Sequence, residues 1–288
     1  YGTAVPCEQG VLDRRQSPRT EELEDSFLKH AGPVSASRRE HFSWQVRGEL
    51  EQSEFCHLTC FRLSASRTAQ CARAHGVSMT VFLAAAMLMA MQNLQAVDVP
   101  DQRKRKYIRI LVPVNLRQLF PSKTLRNFAL YSTPEIDPRL GEYSFDEICR
   151  IVSHRMGMDV QAKRMSTRIA TNVESEKSFF VKILPLFIKN VVMKAIFNAV
   201  GERTSALCLS NLGAVQLPQS MMPYVERMDF ILGPQATNAN NCAALSFKDK
   251  LYINFIRNIR ESGLEYHFYC VLRQLGLSVE VQSNRPEC

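Results

Sequence analysis

The chain has 288 residues, of which 45% are hydrophobic and 22% are charged, so it is long enough for one large domain or two modest ones. This composition excludes a disordered chain and predicts a sizeable core. The net charge of +8 favours an anionic partner, such as a nucleic acid, an acidic membrane surface or a phosphorylated cofactor, but the basic residues are spread along the chain and select none of these.

The first fifty residues are polar, and the chain opens at Tyr1 rather than at a methionine. We interpret residues 1–50 as a polar connector from a missing N-terminal half, with one short helix capped by Thr20 and running from residue 21 to residue 29. The second predicted unit is one domain, residues 51–288.

The pattern from Phe55 onward predicts an irregular alternation of strands and helices, and hence an α/β fold with a mixed sheet layered with helices. The predicted strands are 55–63, 107–114, 127–134, 207–213, 224–234, 243–247, 251–257 and 277–282. The predicted helices are 66–74 behind a Ser66 cap, 80–92 behind Ser78, 144–154 and beyond behind Ser144, 178–200, and 264–275.

The two predicted strands 207–213 and 224–234 end in the most informative turn residues. The first runs into Ser210-Asn-Leu-Gly213 and the second ends at Gly233-Pro234, where glycine tolerates a positive φ and proline ends a ladder. Ser210 and Asn211 therefore fall at a strand end, where binding groups are common.

The longest apolar run, residues 179–200, contains Pro185 and is interrupted by three lysines. A membrane span needs about 20 apolar residues with few or no charges. We predict an amphipathic helix bent at Pro185 and no membrane span, with attachment to a membrane surface as a minor alternative.

Nine cysteines are scattered without paired spacing, and no signal peptide is recognisable, which favours a reducing, cytoplasmic location. The motif Cys56-His-x-x-Cys60 contains cysteine and histidine, which are both common metal ligands, but no second Cys/His pair follows at ligand spacing. We predict core thiols and no metal site.

Nucleotide-binding and nucleophile-elbow motifs are absent from the sequence. None of the six histidines has a carboxylate at catalytic spacing, and the nearest case, His154 with Asp159, is expected at the surface. The basic run Arg103–Lys106 is either a solvated strand entry or a phosphate contact. The residues alone therefore indicate a cytosolic α/β domain.

Four motifs in order extend this interpretation: Val112-Pro-Val-Asn-Leu-Arg117, Leu125-Arg-Asn-Phe128, Ser210-Asn-Leu-Gly213, and Asp229-Phe230 leading to Gly233-Pro234. Together they resemble the alcohol acetyltransferase branch of the chloramphenicol acetyltransferase and peptide-synthetase condensation-domain superfamily. The resemblance covers the chain from about Phe55 to the end and matches the C-terminal half of that fold.

The resemblance implies transfer of an acyl group from a thioester, on coenzyme A or a carrier protein, to a small-molecule alcohol or amine in a tunnel between two halves. The thioester would be a cosubstrate, with no permanently bound cofactor. The family's general base is the histidine of a His-x-x-x-Asp motif. This sequence contains no such motif, so we predict no catalytic residue in this chain and no activity from the chain alone.

The resemblance also implies roles for individual residues. Substrate binding at the thioester is predicted for Ser210, Asn211 and Gly213, and the alternative for this turn is that it only satisfies its own backbone. Structural roles are predicted for Asn115, Arg117, Asn127, Asp229 and Gly233, with Arg117 expected to pair with a carboxylate. The loop 235–241 and the hairpin after it would approach the missing half.

Two other functions stay open at this stage. A degenerate half-fold would bind a protein partner through a sheet edge left uncovered by the missing half. Nucleic-acid binding through Arg103–Lys106 is weaker, because interleaved aromatic residues and a module signature are lacking, and we predict no nucleic-acid partner.

Overall fold

The computed structural model describes residues 16–33, 42–51, 55–177, 190, 204–235 and 238–284. The strands in these segments are β1 His57–Ser64, β2 Ile108–Arg109, β3 Val112–Asn115, β4 Ala129–Ser132, β5 Glu135–Ile136, β6 Leu209–Ala214, β7 Asn240–Phe247, β8 Lys250–Arg257 and β9 Glu280–Ser283. The α-helices are α1 Thr20–Leu23, α2 Ser26–His30, α3 Ala65–Ala74, α4 Met79–Asp98, α5 Phe145–Asp159, α6 Ala162–Lys177 and α7 Gly263–Gln274.

A five-stranded sheet in the order β6-β7-β8-β1-β9 forms the centre of the fold. β6 and β7 are parallel and the other neighbours are antiparallel, so the predicted mixed sheet is confirmed. The predicted hairpin is also confirmed: β7 and β8 pair around a turn in which Lys248 has a φ of 53°.

Two short antiparallel pairs, β2 with β5 and β3 with β4, lie beside β6. The Leu111 amide donates to the Leu207 carbonyl at 2.9 Å, and the Leu209 amide donates to the Leu111 carbonyl at 2.8 Å. These bonds continue the sheet past β6. The two long strands predicted at 107–114 and 127–134 are each divided into two short ones.

One face of the sheet is covered by α4 and α7, with α5 packed against α4. The side chains that meet there are mostly fully buried, and α4 is apolar around most of its circumference. Among the described helices, α4 alone has the length and hydropathy of a membrane span, yet 72% of that stretch is buried inside the domain. A helix that is apolar on all sides and enclosed by protein is a core helix.

The opposite face is covered by an extended loop, residues 215–230, which packs on Cys60, Leu245, Phe247 and Tyr252. The predicted strand 224–234 is therefore wrong. In this segment side chains, and not a neighbouring strand, donate hydrogen bonds to the backbone. The Phe230 carbonyl accepts from the Asn254 side chain and the Gly233 carbonyl accepts from the Asn241 side chain, both at 3.1 Å.

The predicted helices required four corrections. The predicted connector helix is two short helices, because the Asp25 side chain accepts hydrogen bonds from the Phe27 and Leu28 amides and starts a new helix. The cap of α3 is Ser64 rather than Ser66. Helix α6 was missed, and α5 continues through Gly157 to Asp159. The predicted helix 178–200, with its bend at Pro185, lies outside the described residues except at residue 190.

Residues 42–51 contact the domain closely. The Trp44 amide donates to the Tyr107 carbonyl at 2.7 Å, and the Ser43 hydroxyl accepts from the Arg109 amide at 3.0 Å. Trp44 itself is buried in the main core. The boundary drawn at residues 50 and 51 stays a prediction.

Replacing Ser144 with alanine should lower the free energy of unfolding by about 1 kcal/mol. Ser144 caps α5 in a reciprocal arrangement: its hydroxyl accepts from the Glu147 amide at 3.4 Å, and its own amide donates to the Glu147 carboxylate at 2.7 Å. Urea denaturation measures the change, with Ser153→Ala as the control because Ser153 is exposed in the middle of the same helix. Equal losses in the two variants would contradict the capping role.

Candidate functional site

The C-terminal end of β6 lies beside the first turn of α4. The Asn211 side chain bridges the two elements, because its Nδ2 donates to the Thr80 hydroxyl at 3.1 Å. Its Oδ1 accepts from the Gly213 amide at 3.0 Å. The predicted turn and strand end are wrong, because β6 continues through Ala214 with a shift in register between Asn211 and Ala214. Asn211 keeps one of its two amide N–H donors for another group.

Ser210 is half-buried on β6 opposite Ala243 of β7. Its hydroxyl makes no hydrogen bond to another described residue. The next residue but one, Leu212, is 59% exposed. Ser210 and Asn211 are consecutive strand residues, so their side chains point to opposite faces of the sheet, with Asn211 on the face of α4.

Gly213→Ala should cost about 1–2 kcal/mol of folding free energy, because Gly213 has a φ of +80° and L-residues with a side chain are strained there. No atom lies within 4 Å of an added Cβ, so the cost is conformational and not steric. Gly233→Ala is the matched control, since Gly233 also has free space around it and lacks a positive φ. Thermal unfolding of both variants tests this, and comparable losses would contradict it.

Asp229 lies in the 215–230 loop, on the other face of the sheet from α4 and α7. Its carboxylate pairs with Arg227 at 2.6 Å and accepts from the Asn254 side chain of β8 at 3.1 Å. The Arg227 guanidinium also stacks over the Tyr252 ring, at 5.1 Å from its centroid. These contacts fasten the loop to the sheet, which fits the structural role predicted for Asp229.

Asn115 and Arg117 hold the turn after β3. The Asn115 side chain accepts from the Arg117 amide at 3.1 Å. The Arg117 guanidinium donates to the Thr124 carbonyl at 2.7 Å and to the Arg126 carbonyl at 2.6 Å. The prediction that Arg117 pairs with a carboxylate was wrong. Backbone carbonyl oxygens accept its hydrogen bonds instead, because the loop folds back over the guanidinium. Asn127 is exposed and has no side-chain hydrogen bond in the described part of the chain.

Gly233 is joined to the sheet through one buried side chain. Asn241 of β7 donates to the Gly233 carbonyl at 3.1 Å and accepts from the Cys208 amide at 3.1 Å. The structure thus links Gly233 to Cys208, which directly precedes β6, through a side chain on the same face of the sheet as Asn254, the partner of Asp229.

Four of the cysteines are buried as predicted, namely Cys60, Cys149, Cys208 and Cys242. Burial raises the pKa of the first three thiols to about 11 and that of Cys242 well above its ordinary value. A thiol that stays protonated is a poor nucleophile and a poor metal ligand. The described residues contain no cluster of three or more His, Cys, Asp or Glu side chains that could hold a metal.

Two histidine–carboxylate pairs were missed in the sequence, because their partners follow no helical or strand period. His57 Nε2 lies 2.8 Å from a Glu51 oxygen, and His75 Nδ1 lies 2.6 Å from an Asp146 oxygen. β1 is three strands from β6 in the sheet, so His57 is roughly 14 Å from the Ser210 strand at a spacing of about 4.8 Å per strand. It therefore cannot act on a group bound at that strand.

No protein-family model matches the chain, and neither does any curated protein. Solved structures do match. The chain is similar to the trichothecene 15-O-acetyltransferase TRI3 of Fusarium sporotrichioides, with a TM-score of 0.55 and 12% identity over 81% of this chain and 49% of that one. It is also similar to the epimerization domain from the third module of tyrocidine synthetase B, with a TM-score of 0.50 and 12% identity over 89% of this chain and 56% of that one.

The chain spans about half the length of these two structures. At 12% identity the similarity establishes the fold. The protein has the α/β fold of the condensation-domain and chloramphenicol acetyltransferase-like proteins.

Proposed function

We propose that this chain is the C-terminal portion of an acyl-CoA-dependent O-acyltransferase of the alcohol acetyltransferase type. The observation that carries the proposal is the similarity in fold to an O-acetyltransferase over 81% of the chain. The four ordered motifs that first indicated the same superfamily support it independently. The acceptor would be a small alcohol or amine, and the location would be the cytoplasm.

In this proposal the thioester, on coenzyme A or a carrier protein, is a cosubstrate that lies against the end of β6. The second Nδ2 hydrogen of Asn211 would donate to the thioester oxygen, where negative charge develops during attack by the acceptor. Ser210 precedes Asn211 on the same strand and points to the opposite face of the sheet, so it would not reach the same oxygen. The general base would come from a preceding half that carries a His-x-x-x-Asp motif.

Asn211→Ala should weaken binding of acetyl-CoA to this chain about tenfold, since a hydrogen bond is lost and the Gly213 amide loses its Oδ1 acceptor. Isothermal titration calorimetry measures the affinity. Asn127→Ala is the matched control, because it removes the same amide from an exposed position without side-chain partners and should leave affinity unchanged. An equal effect of the two substitutions would contradict the assigned role of Asn211.

The intact mass and N-terminal sequence of the protein made by its natural source test the assignment to a longer enzyme. A mass well above 32.8 kDa, with a His-x-x-x-Asp ahead of Tyr1, is the expected result. A natural start at Tyr1 would contradict the enzyme assignment.

A non-catalytic interaction module is the second candidate. It is favoured by one observation: the sequence contains no His-x-x-x-Asp motif, and His57, the histidine on the described sheet, is three strands from β6. This candidate predicts a natural protein without the motif and without measurable affinity for acetyl-CoA.

A further inference from the structure

The first turn of α4 carries a threonine whose hydroxyl contacts β6 instead of its own helix. Thr80 Oγ1 lies 3.1 Å from Asn211 Nδ2. A helical threonine can donate its hydroxyl hydrogen to the carbonyl four residues earlier, and Thr68 of α3 and Thr167 of α6 do so at 2.7 Å and 3.1 Å. In the described part of the chain Thr80 makes no such bond, because the residue four positions earlier, Gly76, lies before the start of α4.

A third group fixes the direction of the bond between these two side chains. The Gly213 amide donates to Asn211 Oδ1 at 3.0 Å, and an amide N–H requires an acceptor, which identifies this atom as the oxygen. The other terminal atom of Asn211 is therefore the NH2 nitrogen, which only donates. Thr80 Oγ1 consequently accepts the hydrogen bond and serves as an anchor for the amide.

Bonds at both ends of the Asn211 amide hold its plane. A terminal amide otherwise turns easily, because its last torsion has a broad energy minimum. With Oδ1 bound to Gly213 and one Nδ2 hydrogen bound to Thr80, the second Nδ2 hydrogen has a single direction. Asn211 and Thr80 are both half-buried, so a ligand can reach this hydrogen while water competes with the anchoring bond only from one side.

We propose that Thr80 is a positioning residue for the acyl thioester, because it aims the free amide hydrogen of Asn211 at the thioester carbonyl oxygen. This inference rests on the proposed function, which assigns that hydrogen to the same oxygen. A donor that is already oriented stabilises the developing charge without a cost of reorganisation. The core helix α4 would thereby contribute to the selection of a thioester over a ligand without a carbonyl oxygen.

The test compares two probes, acetyl-CoA and S-ethyl-CoA, on the full chain. They have nearly the same shape, but S-ethyl-CoA is a thioether and lacks the carbonyl oxygen. Isothermal titration calorimetry gives both affinities. We expect the unmodified chain to bind acetyl-CoA about tenfold more tightly than S-ethyl-CoA, the effect of one hydrogen bond to that oxygen.

Thr80→Val replaces the hydroxyl with a methyl group of similar size that cannot accept a hydrogen bond. It should reduce the preference for acetyl-CoA to within about twofold and leave the affinity for S-ethyl-CoA unchanged. Thr80→Ser keeps the hydroxyl and should keep the preference. Thr167→Val is the matched control, because it removes the same group from α6, where the hydroxyl bonds to its own helix, and should also keep the preference.

The inference is overturned if Thr80→Val keeps the full preference or if Thr80→Ser loses it. An equal loss of affinity for both probes in Thr80→Val would also overturn it, because that result indicates a structural role alone. If the unmodified chain binds neither probe, the proposed function fails and this inference fails with it. A failure of the inference by itself appears only in the Thr80 variants, so the two failures are distinguishable.

Discussion

Replacing Glu265 with leucine should lower the free energy of unfolding by about 3–5 kcal/mol, among the largest effects expected from one substitution in this chain. The change leaves the Arg257 guanidinium almost fully buried without the carboxylate that it contacts at 2.7 Å. The guanidinium keeps its positive charge in proteins, so the buried charge stays without a counter-ion. Urea denaturation followed by circular dichroism gives the difference.

The double variant Arg257→Met with Glu265→Leu is the control for this prediction. It removes both charges and fills similar volume, so it should recover most of the lost stability. If the double variant is as unstable as Glu265→Leu, the loss comes from packing of α7 and not from an unpaired charge. A loss under 1 kcal/mol in Glu265→Leu would show that water reaches Arg257 in the variant and would contradict the prediction.

The same carboxyl group makes part of the stability depend on pH. Burial raises the pKa of Glu265 above its ordinary value of 4.5, and Arg257 opposes the shift. The folded protein therefore retains this proton to higher pH than the unfolded chain does. The corresponding stability is complete below 4.5 and is lost as the pH rises through the folded pKa. The glutamine side chain of Glu265→Gln does not ionise, so the free energy of unfolding of this variant should lack this pH-dependent part.

Local signals predicted much of the fold. The hairpin of β7 and β8 was found because two apolar runs flank a short polar turn, and the caps of α4 and α5 were found because Ser78 and Ser144 precede apolar periodic segments. The prediction of a strand at 224–234 failed because the backbone of this segment is held by the side chains of Asn254 and Asn241, which lie outside it in the sequence. Helix α6 was missed because it is mostly polar and only a few of its side chains, such as Met165 and Ile169, enter a small second core.

The same distinction between local and long-range signals applies to the candidate site. The turn predicted from the Ser-Asn-x-Gly sequence was wrong, because β6 continues through Ala214. The Asn211 side chain accepts from the Gly213 amide at a shift in strand register, which the local sequence does not distinguish from a turn. The role of Asn211 in substrate binding stays a prediction. The Arg257–Glu265 pair had no comparable signal, because eight residues separate a strand position from a helix position and only the packing of α7 on β8 brings them together.

Phe268→Ala should cost about 3–5 kcal/mol, because it removes a fully buried ring and leaves a cavity that the rigid sheet cannot fill. Phe268 connects α7 to the two central strands: its ring centroid lies 5.9 Å from that of Phe61 on β1 and 5.2 Å from that of Phe255 on β8. The loss of these ring contacts adds to the loss of buried area. Urea denaturation of the variant measures the change.

Tyr266→Ala is the matched control, because it removes an aromatic ring two residues earlier on the same helix, where the side chain is 62% exposed. A change within about 0.5 kcal/mol is expected there. Similar losses in the two variants would mean that α7 is stabilised by helix propensity rather than by its contact with the sheet. A small loss in Phe268→Ala alone would mean that α4 and α7 close the space, and it would contradict the rigid packing of this core.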